Sequence, residues 1–574
     1  MTAASPFGLS KWRYGLVCLL LMGLAGLLIG RLVMLQLTDS GSGAVFLREQ
    51  GALRTIRTAE IPVYRGLIED RNGTPLAVSS PVVSLWANPK LLTDSLRLEE
   101  LADLLSIDPN ALREKLAFYG DKQFMYLARH QAPDFARKIL QGQFPGVKGE
   151  REYRRYYPAG EVTAQVLGLT NVDGRGIAGV EMAFEDWLRG VPGKKRFIKD
   201  LHGEMVRDFG VIDEPRPGKT LTLSLDLRLQ YVQHRELQRA MKETGAVAGS
   251  AVTLDAWTGE VLAISNYPVF NPNARSTLDY GSARNRAVTD VYEPGSTVKT
   301  LTLVAALESG QFSLDTLIDT NPGRIRVGSK VLHDPRNYGE MTLSRVIEKS
   351  SQVGVTKLAQ AVGHEAILDV LHRFGLGADT GTGFPGERAG VLPNHAHWSD
   401  IEKVTLAFGY GLNATPIQLA RAYAVFANEG VRRPLTLLKY DSDNTLQGDR
   451  VVTAEIARDV LTVLGRVTKP GGTATLAQVR GFSVGGKTGT VHKVGEGGYL
   501  DDQYVALFVG IAPINEPRYV TAILVDQPLG DHYGGGLAAA PVYSRITEEV
   551  LRIRNARPER SDTGALLADA GVAQ

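Results

Sequence analysis

The chain has 574 residues, 44% of them hydrophobic and 22% charged, with 64 Lys and Arg against 62 Asp and Glu. These globular values exclude a collagen-like, disordered or wholly membrane-embedded chain, and the near-neutral balance gives no basic surface for nucleic acid. The single cysteine, Cys18, excludes an intrachain disulfide and a cysteine-based zinc site.

Residues 14–30 carry no charge, and apolar character continues to residue 37. That stretch matches a hydrocarbon core of about 30 Å, so a transmembrane anchor is expected over 14–37, preceded by a cytoplasmic tail at 1–13. A cleavable signal peptide is the alternative, but its apolar part runs only about 7–15 residues. No second such stretch follows, which leaves everything after about residue 38 on one side of the membrane.

Residues 38–60 read as a polar stalk. A β-rich region, 61–218, opens on alternating apolar residues around Arg71-Asn72-Gly73, the pattern of a β-hairpin. A helical patch is expected at 98–116, and the turn-rich Glu214-Pro-Arg-Pro-Gly218 marks a boundary. The region 219–557 starts with a strand, LTLSLD, and a helix at 227–244. A hairpin turning at Ala256-Trp-Thr-Gly259 follows, and a second one, YVALFVGIAP with RYVTAILVDQ, lies near the end. Strands at both ends with helices between them predict an α+β fold, a mainly antiparallel sheet packed by helices. Residues 558–574 read as a flexible tail.

Three short motifs carry candidate chemistry. Ser296-Thr-Val-Lys299 follows Glu293-Pro-Gly295 and precedes an apolar run, so Ser296 is expected in the first turn of a helix with Lys299 on the same face. A desolvated lysine can take the proton of a serine hydroxyl. Lys487-Thr488-Gly489-Thr490 lies in GFSVGGKTGTV, which also fits a phosphate-binding loop (Gly481, Gly486, Lys487, Thr488) and a hydrolase elbow (Gly481, Ser483, Gly485). Both alternatives need a helix directly afterwards, and the glycine-rich GTVHKVGEGGY has no helical period. The remaining chemical reading is a strand whose lysine and hydroxyls face a carboxylate, beside the plain alternative of a glycine-rich turn. Ser350-Ser351-Gln352 by itself reads most simply as a helix N-cap. His395-Ala-His397 sits in a proline-flanked loop without further ligands in reach, so no metal is expected.

In combination, Ser296-x-x-Lys299, Ser350-x-Gln352 and Lys487-Thr-Gly resemble the signature of penicillin-recognising serine enzymes. Arg65-Gly66 through Asp70-Arg71-Asn72-Gly73, Tyr156-Tyr-Pro-Ala-Gly160, Gly179-Val-Glu181 with Leu188-Arg-Gly190, and Gly383-Phe-Pro-Gly-Glu387 extend the likeness to class B penicillin-binding proteins, nearest the division-specific FtsI branch. The resemblance implies a pedestal domain at 61–218 and a transpeptidase domain at 219–557. It also implies an inner-membrane protein with its catalytic part in the periplasm, at the septum. The implied activity is D,D-transpeptidation of peptidoglycan stem peptides through a serine acyl-enzyme, with β-lactams acylating the same serine. No cofactor is implied, and an FtsW-type glycan polymerase with other divisome membrane proteins is the implied partner.

By the same likeness Ser296 is the nucleophile, Lys299 the base and Ser350 the proton relay. Lys487 and Thr488 bind the terminal carboxylate, with Gly489 beside them, and the N–H groups of Ser296 and Thr490 form the oxyanion hole. The family usually has Asn where this chain has Gln352. The longer amide costs a few tenths to about 1 kcal/mol to fix in the same place, so activity is expected to survive with altered β-lactam affinity. A membrane-anchored β-lactamase or β-lactam sensor, and a divisome scaffold with weakened catalysis, are the competing functions.

Overall fold

The computed structural model describes residues 11–37, 46, 56–93, 96–199, 205–275, 279–440, 447–495 and 497–559. Most of the expected tail at 1–13, of the stalk and of the C-terminal tail lies outside the described residues. The chain divides into two compact units, residues 1–63 with 190–217, and 64–189 with 218–574.

In the first unit the helix Lys11–Leu37 begins earlier than expected and is long and apolar enough to cross a membrane. The end of the supposed stalk is a strand, Ile56–Ile61. It pairs antiparallel with Gly193–Lys199, which pairs in turn with Met205–Asp213.

The second unit is built on a five-stranded antiparallel sheet. Its strands are β1 (Ala248–Asp255), β2 (Val261–Tyr267), β3 (Gly485–Gly495), β4 (Gly498–Ala512) and β5 (Tyr519–Asp526), in the order β2-β1-β5-β4-β3. The near-continuous apolar runs in β1, β4 and β5 arise because both faces of the sheet are covered. Alternate residues Ala251, Phe508 and Ile523 face helices α1 (Leu227–Thr244) and α6 (Ala540–Ile553). Val252, Leu507 and Leu524 belong to the larger core that includes helices α2 (Lys299–Glu308), α3 (Gln352–Val362), α4 (Pro416–Ala427) and α5 (Ala454–Val467). Both expected hairpins and the helix at 227–244 form, the last capped by Asp226, whose carboxylate accepts from the Arg228 N–H.

Three local expectations change. The single helical patch at 98–116 is two helices, Leu98–Leu105 and Pro109–Phe118. Ser106 turns left-handed (φ 55°), and Asp108 caps a new start with Pro109 at its first position. The strand LTLSLD shrinks to Leu221–Thr222, paired parallel to Ile68–Glu69, because Ser224 is drawn into hydrogen bonds with the carbonyls of Val261 and Thr436. Residues 558–559 are not loose: the Glu559 N–H donates to the Gly481 carbonyl, and its carboxylate accepts from the Ser483 N–H at 2.8 Å and from the Ser483 hydroxyl.

Arg65 and Glu181, from two of the boxes between residues 65 and 190, meet in one buried cluster with Arg155. The Glu181 carboxylate, fully buried, takes Arg65 Nε at 2.5 Å and Arg155 Nε at 2.6 Å, while Arg65 also reaches the Glu181 carbonyl and Glu185. Gly66 is glycine because a Cβ there would lie 2.0 Å from the Lys219 carbonyl oxygen. The hairpin at 68–77 is tied to α1 through Asp70, which accepts from Asn72, Thr74 and the Leu227 N–H at the positive helix end.

Candidate active site

Ser296 lies in a short 3-10 turn, Gly295–Val298, that leads into α2. Leu301, Leu303, Val304 and Ala306 on α2 are all buried, so this helix runs through the core rather than over it, and Lys299 at its start is buried with it. Two side chains that no sequence motif pointed to hold the turn in place. The Tyr423 hydroxyl on α4 donates to the Thr297 carbonyl at 2.8 Å and meets Thr300 Oγ1 at 3.0 Å, and Thr302 bonds the Ala407 carbonyl.

The Lys299 amine does not bond Ser296, as its position three residues on had suggested. It reaches past that residue to the Ser350 carbonyl at 2.6 Å and to Ser350 Oγ at 3.2 Å. Lys487, on β3, approaches Ser350 Oγ from the other side at 2.9 Å. One hydroxyl thus lies between two buried lysines. Burial pushes the Lys299 ammonium down to about 8, with the Asp334 charge opposing the fall. Burial, and then repulsion from Lys299, holds Lys487 well below the ordinary lysine value. Two ammoniums sharing one hydroxyl oppose each other's charge, so one of the pair gives up its proton readily.

Ser350 sits between the helix Leu343–Glu348 and α3, in the left-handed region (φ 57°), a conformation that a non-glycine residue adopts at a cost when its surroundings hold it. The N-cap of α3 is Ser351, not Ser350. The holding group is Asp334, a third residue that the sequence reading missed. Its carboxylate accepts from Ser351 Oγ at 2.5 Å and from the backbone N–H groups of Gln352 and Val353. Gln352 is therefore fixed through its backbone. Among the described residues neither its carboxamide nor Ser296 Oγ has a hydrogen-bond partner.

Lys487-Thr-Gly-Thr490 is strand, with no helix after it, which removes the phosphate-loop and elbow readings. β3 is the edge of the sheet, so one side of its backbone is open to a further strand. Gly489 lets β3 close on the serine turn: a Cβ there would stand 3.0 Å from the Pro294 carbonyl and 3.2 Å from Thr297 Cγ2. Thr488 Oγ1 meets Thr473 Oγ1 at 3.0 Å, and Thr490 Oγ1 accepts from the Gly535 N–H. The cluster brings together a hydroxyl at a helix start, a readily deprotonated amine, a second hydroxyl between two lysines and a lysine-bearing strand edge, groups that suit acyl transfer at a peptide that ends in a carboxylate. His395 packs edge-on against Trp398 instead, and no metal-holding group of His, Cys, Asp and Glu occurs among the described residues.

Comparison with known proteins agrees with this chemistry. Residues 249–548 match the penicillin binding protein transpeptidase domain, and residues 60–223 match the penicillin-binding protein dimerisation domain. The chain is 40% identical to the peptidoglycan D,D-transpeptidase FtsI of Escherichia coli over 96% of its own length and 94% of that protein. It is 39% identical to the probable peptidoglycan D,D-transpeptidase PbpC of Pseudomonas aeruginosa, over 97% and 98%. Among solved structures, penicillin binding protein 3 of Mycobacterium tuberculosis in complex with aztreonam aligns with a TM-score of 0.66 at 30% identity, covering 87% of this chain and 98% of that one.

Proposed function

Because this chain belongs to the class B penicillin-binding proteins, in the FtsI branch, and is a serine-type peptidoglycan D,D-transpeptidase and β-lactam target, we propose that its acyl-enzyme forms on Ser296. The observation that carries this is Ser350 Oγ held between Lys299 and Lys487, beside the turn that bears Ser296. Ser296 Oγ attacks the carbonyl carbon of the penultimate D-Ala while neutral Lys299 takes its proton. The oxyanion is met by the N–H groups of Ser296 and Thr490. As the C–N bond breaks, a proton passes through Ser350 to the departing D-Ala amine. Lys487 and the Thr488 hydroxyl hold the terminal carboxylate, with Gly489 keeping β3 close enough to do so. An amine of a second stem then attacks the ester, regenerates Ser296 and leaves the cross-link.

The test is to label the full chain with fluorescent penicillin and map the adduct by mass spectrometry. A bond to Ser296 that persists for hours is expected. Rapid turnover of nitrocefin would point instead to a lactamase, and no adduct in folded protein would point to a scaffold.

Asp334 acts through the residues it holds. In Asp334→Asn one acceptor becomes a donor facing the donors of Ser351, Gln352 and Val353. Acylation is expected to slow about tenfold, the cost of a mispaired buried group. Its pH midpoint is expected to move lower, because the charge that raises Lys299 is gone. An unchanged rate and midpoint in a pH series of penicillin labelling would remove Asp334 from this role.

We further assign residues 61–218 to the pedestal and 219–557 to the transpeptidase domain. The anchor helix supports a single-pass inner-membrane protein acting from the periplasmic side. Membership of the FtsI branch supports septal work beside an FtsW-type glycan polymerase.

A further inference from the structure

Glu293, three residues before Ser296, lines a cavity of about 320 Å³ together with Tyr292, Asn413, His492 and Lys493. Its Oε1 accepts from the Gly411 N–H at 2.9 Å and from the Tyr499 hydroxyl at 3.1 Å. Its Oε2 is shielded from solvent and accepts nothing, and Asn413 Oδ1, in the same lining, is in the same state. Two buried acceptors without donors are costly unless a bound group supplies the donors. Among the described residues Glu293 has no cation paired with it. Lys493 is neutralised by Asp526 at 2.9 and 3.0 Å. His492 Nδ1 is engaged with the Leu500 carbonyl at 3.1 Å, which leaves the Glu293 carboxylate uncompensated. Burial accordingly raises the Glu293 carboxyl above its ordinary value.

The cavity's place along β3 indicates what enters it. The Gly295 backbone lies against this part of the strand, since a Cβ on Gly295 would stand 2.4 Å from Val491 Cγ1. An extended peptide added to the open edge of β3 advances about 3.3 Å per residue. With its carboxylate at Lys487 and Thr488 and its penultimate carbonyl at Ser296 and Thr490, the residue upstream of the two D-alanines falls beside Val491, His492 and Lys493. The same stem peptides serve as acceptors, so each donor carries a side-chain amine of its own.

We propose that this cavity, through Glu293 and Asn413, is the subsite for the side-chain ammonium of the donor stem peptide. The assignment rests on the reading of Ser296 and Lys487 given above. It predicts that the enzyme senses, on the donor, a charge remote from the bond it breaks.

The experiment uses the full chain and two synthetic pentapeptide donors ending in D-Ala-D-Ala, one with a free side-chain amine and one with that amine acetylated, and follows D-Ala release. The free amine is expected to give at least a tenfold higher kcat/KM, carried mainly by KM. The preference is expected to fall below twofold in Glu293→Gln and to survive in Glu293→Asp. Equal kcat/KM for the two donors with the unaltered enzyme, or an undiminished preference in Glu293→Gln, overturns the assignment. The first of these needs no variant and decides the matter even if Glu293→Gln fails to fold. Penicillin labelling of Ser296 separates the two levels: labelling without a donor preference rejects the subsite alone, whereas absence of labelling rejects the underlying reading.

Discussion

Lys299→Ala is expected to lower the rate of penicillin acylation by between about a hundredfold and ten-thousandfold, the range that a positioned base contributes, while the protein stays folded. Lys299 is buried, and burial holds its amine near 8, so a usable fraction is neutral at physiological pH and the fraction grows as pH rises. Acylation by the unaltered enzyme should therefore climb through about pH 8 and level off above it, and the climb should vanish in the variant. Lys299→Arg fails as well, since a guanidinium keeps its proton across this range. Stopped-flow labelling between pH 6 and pH 10, at about half-unit steps, supplies both curves. A variant within threefold of the original rate would mean that another group, with Lys487 the nearest candidate, takes the proton.

The largest expected effect on stability comes from the other end of the same unit. Glu181→Ala removes the carboxylate that Arg65 and Arg155 share, leaving the Arg155 guanidinium buried without its counter-ion and Arg65 with Glu185 alone. Breaking a buried ion pair from one side costs about 3–5 kcal/mol, because the charge left behind remains out of water. Glu181→Gln keeps the shape and one acceptor but turns an amide N–H toward one of the two guanidinium donors, so it should cost less but still destabilise. Urea unfolding followed by circular dichroism measures both. A Glu181→Ala protein within 1 kcal/mol of the original, roughly the worth of an exposed pair, would show that the cluster is solvated in solution.

Much of this architecture was legible before any coordinates. The sheet strands β1, β4 and β5 announced themselves as short, dense apolar runs, and α1 as an aspartate before an apolar period. The two motif lysines and the two motif serines were singled out by the family resemblance they carry in combination, Ser350 alone reading as a helix N-cap. Proximity along a helix, however, misdirected the expectation for Lys299: a side chain of four methylenes is not confined to its own helix, and the nearest acceptors to its amine belong to Ser350. Asp334 and Tyr423 left no local signature, because each acts on backbone groups far away in the chain, and a carboxylate facing three donors reads in sequence like any loop aspartate. The break at Ser106 was readable, since Asp108-Pro109 is a helix start. It was overridden by an apolar period that continues with little interruption across the gap.

The hold of Glu559 on residues 481 and 483 limits how this protein can be shortened or tagged. Those residues lead directly into the strand that carries Lys487, so Glu559 braces the start of that strand. Removal of Glu559 strips the brace from a segment only a few residues from Lys487. The safe point for a fusion or a processing cut is therefore set by the needs of the sheet edge rather than by the end of the final helix.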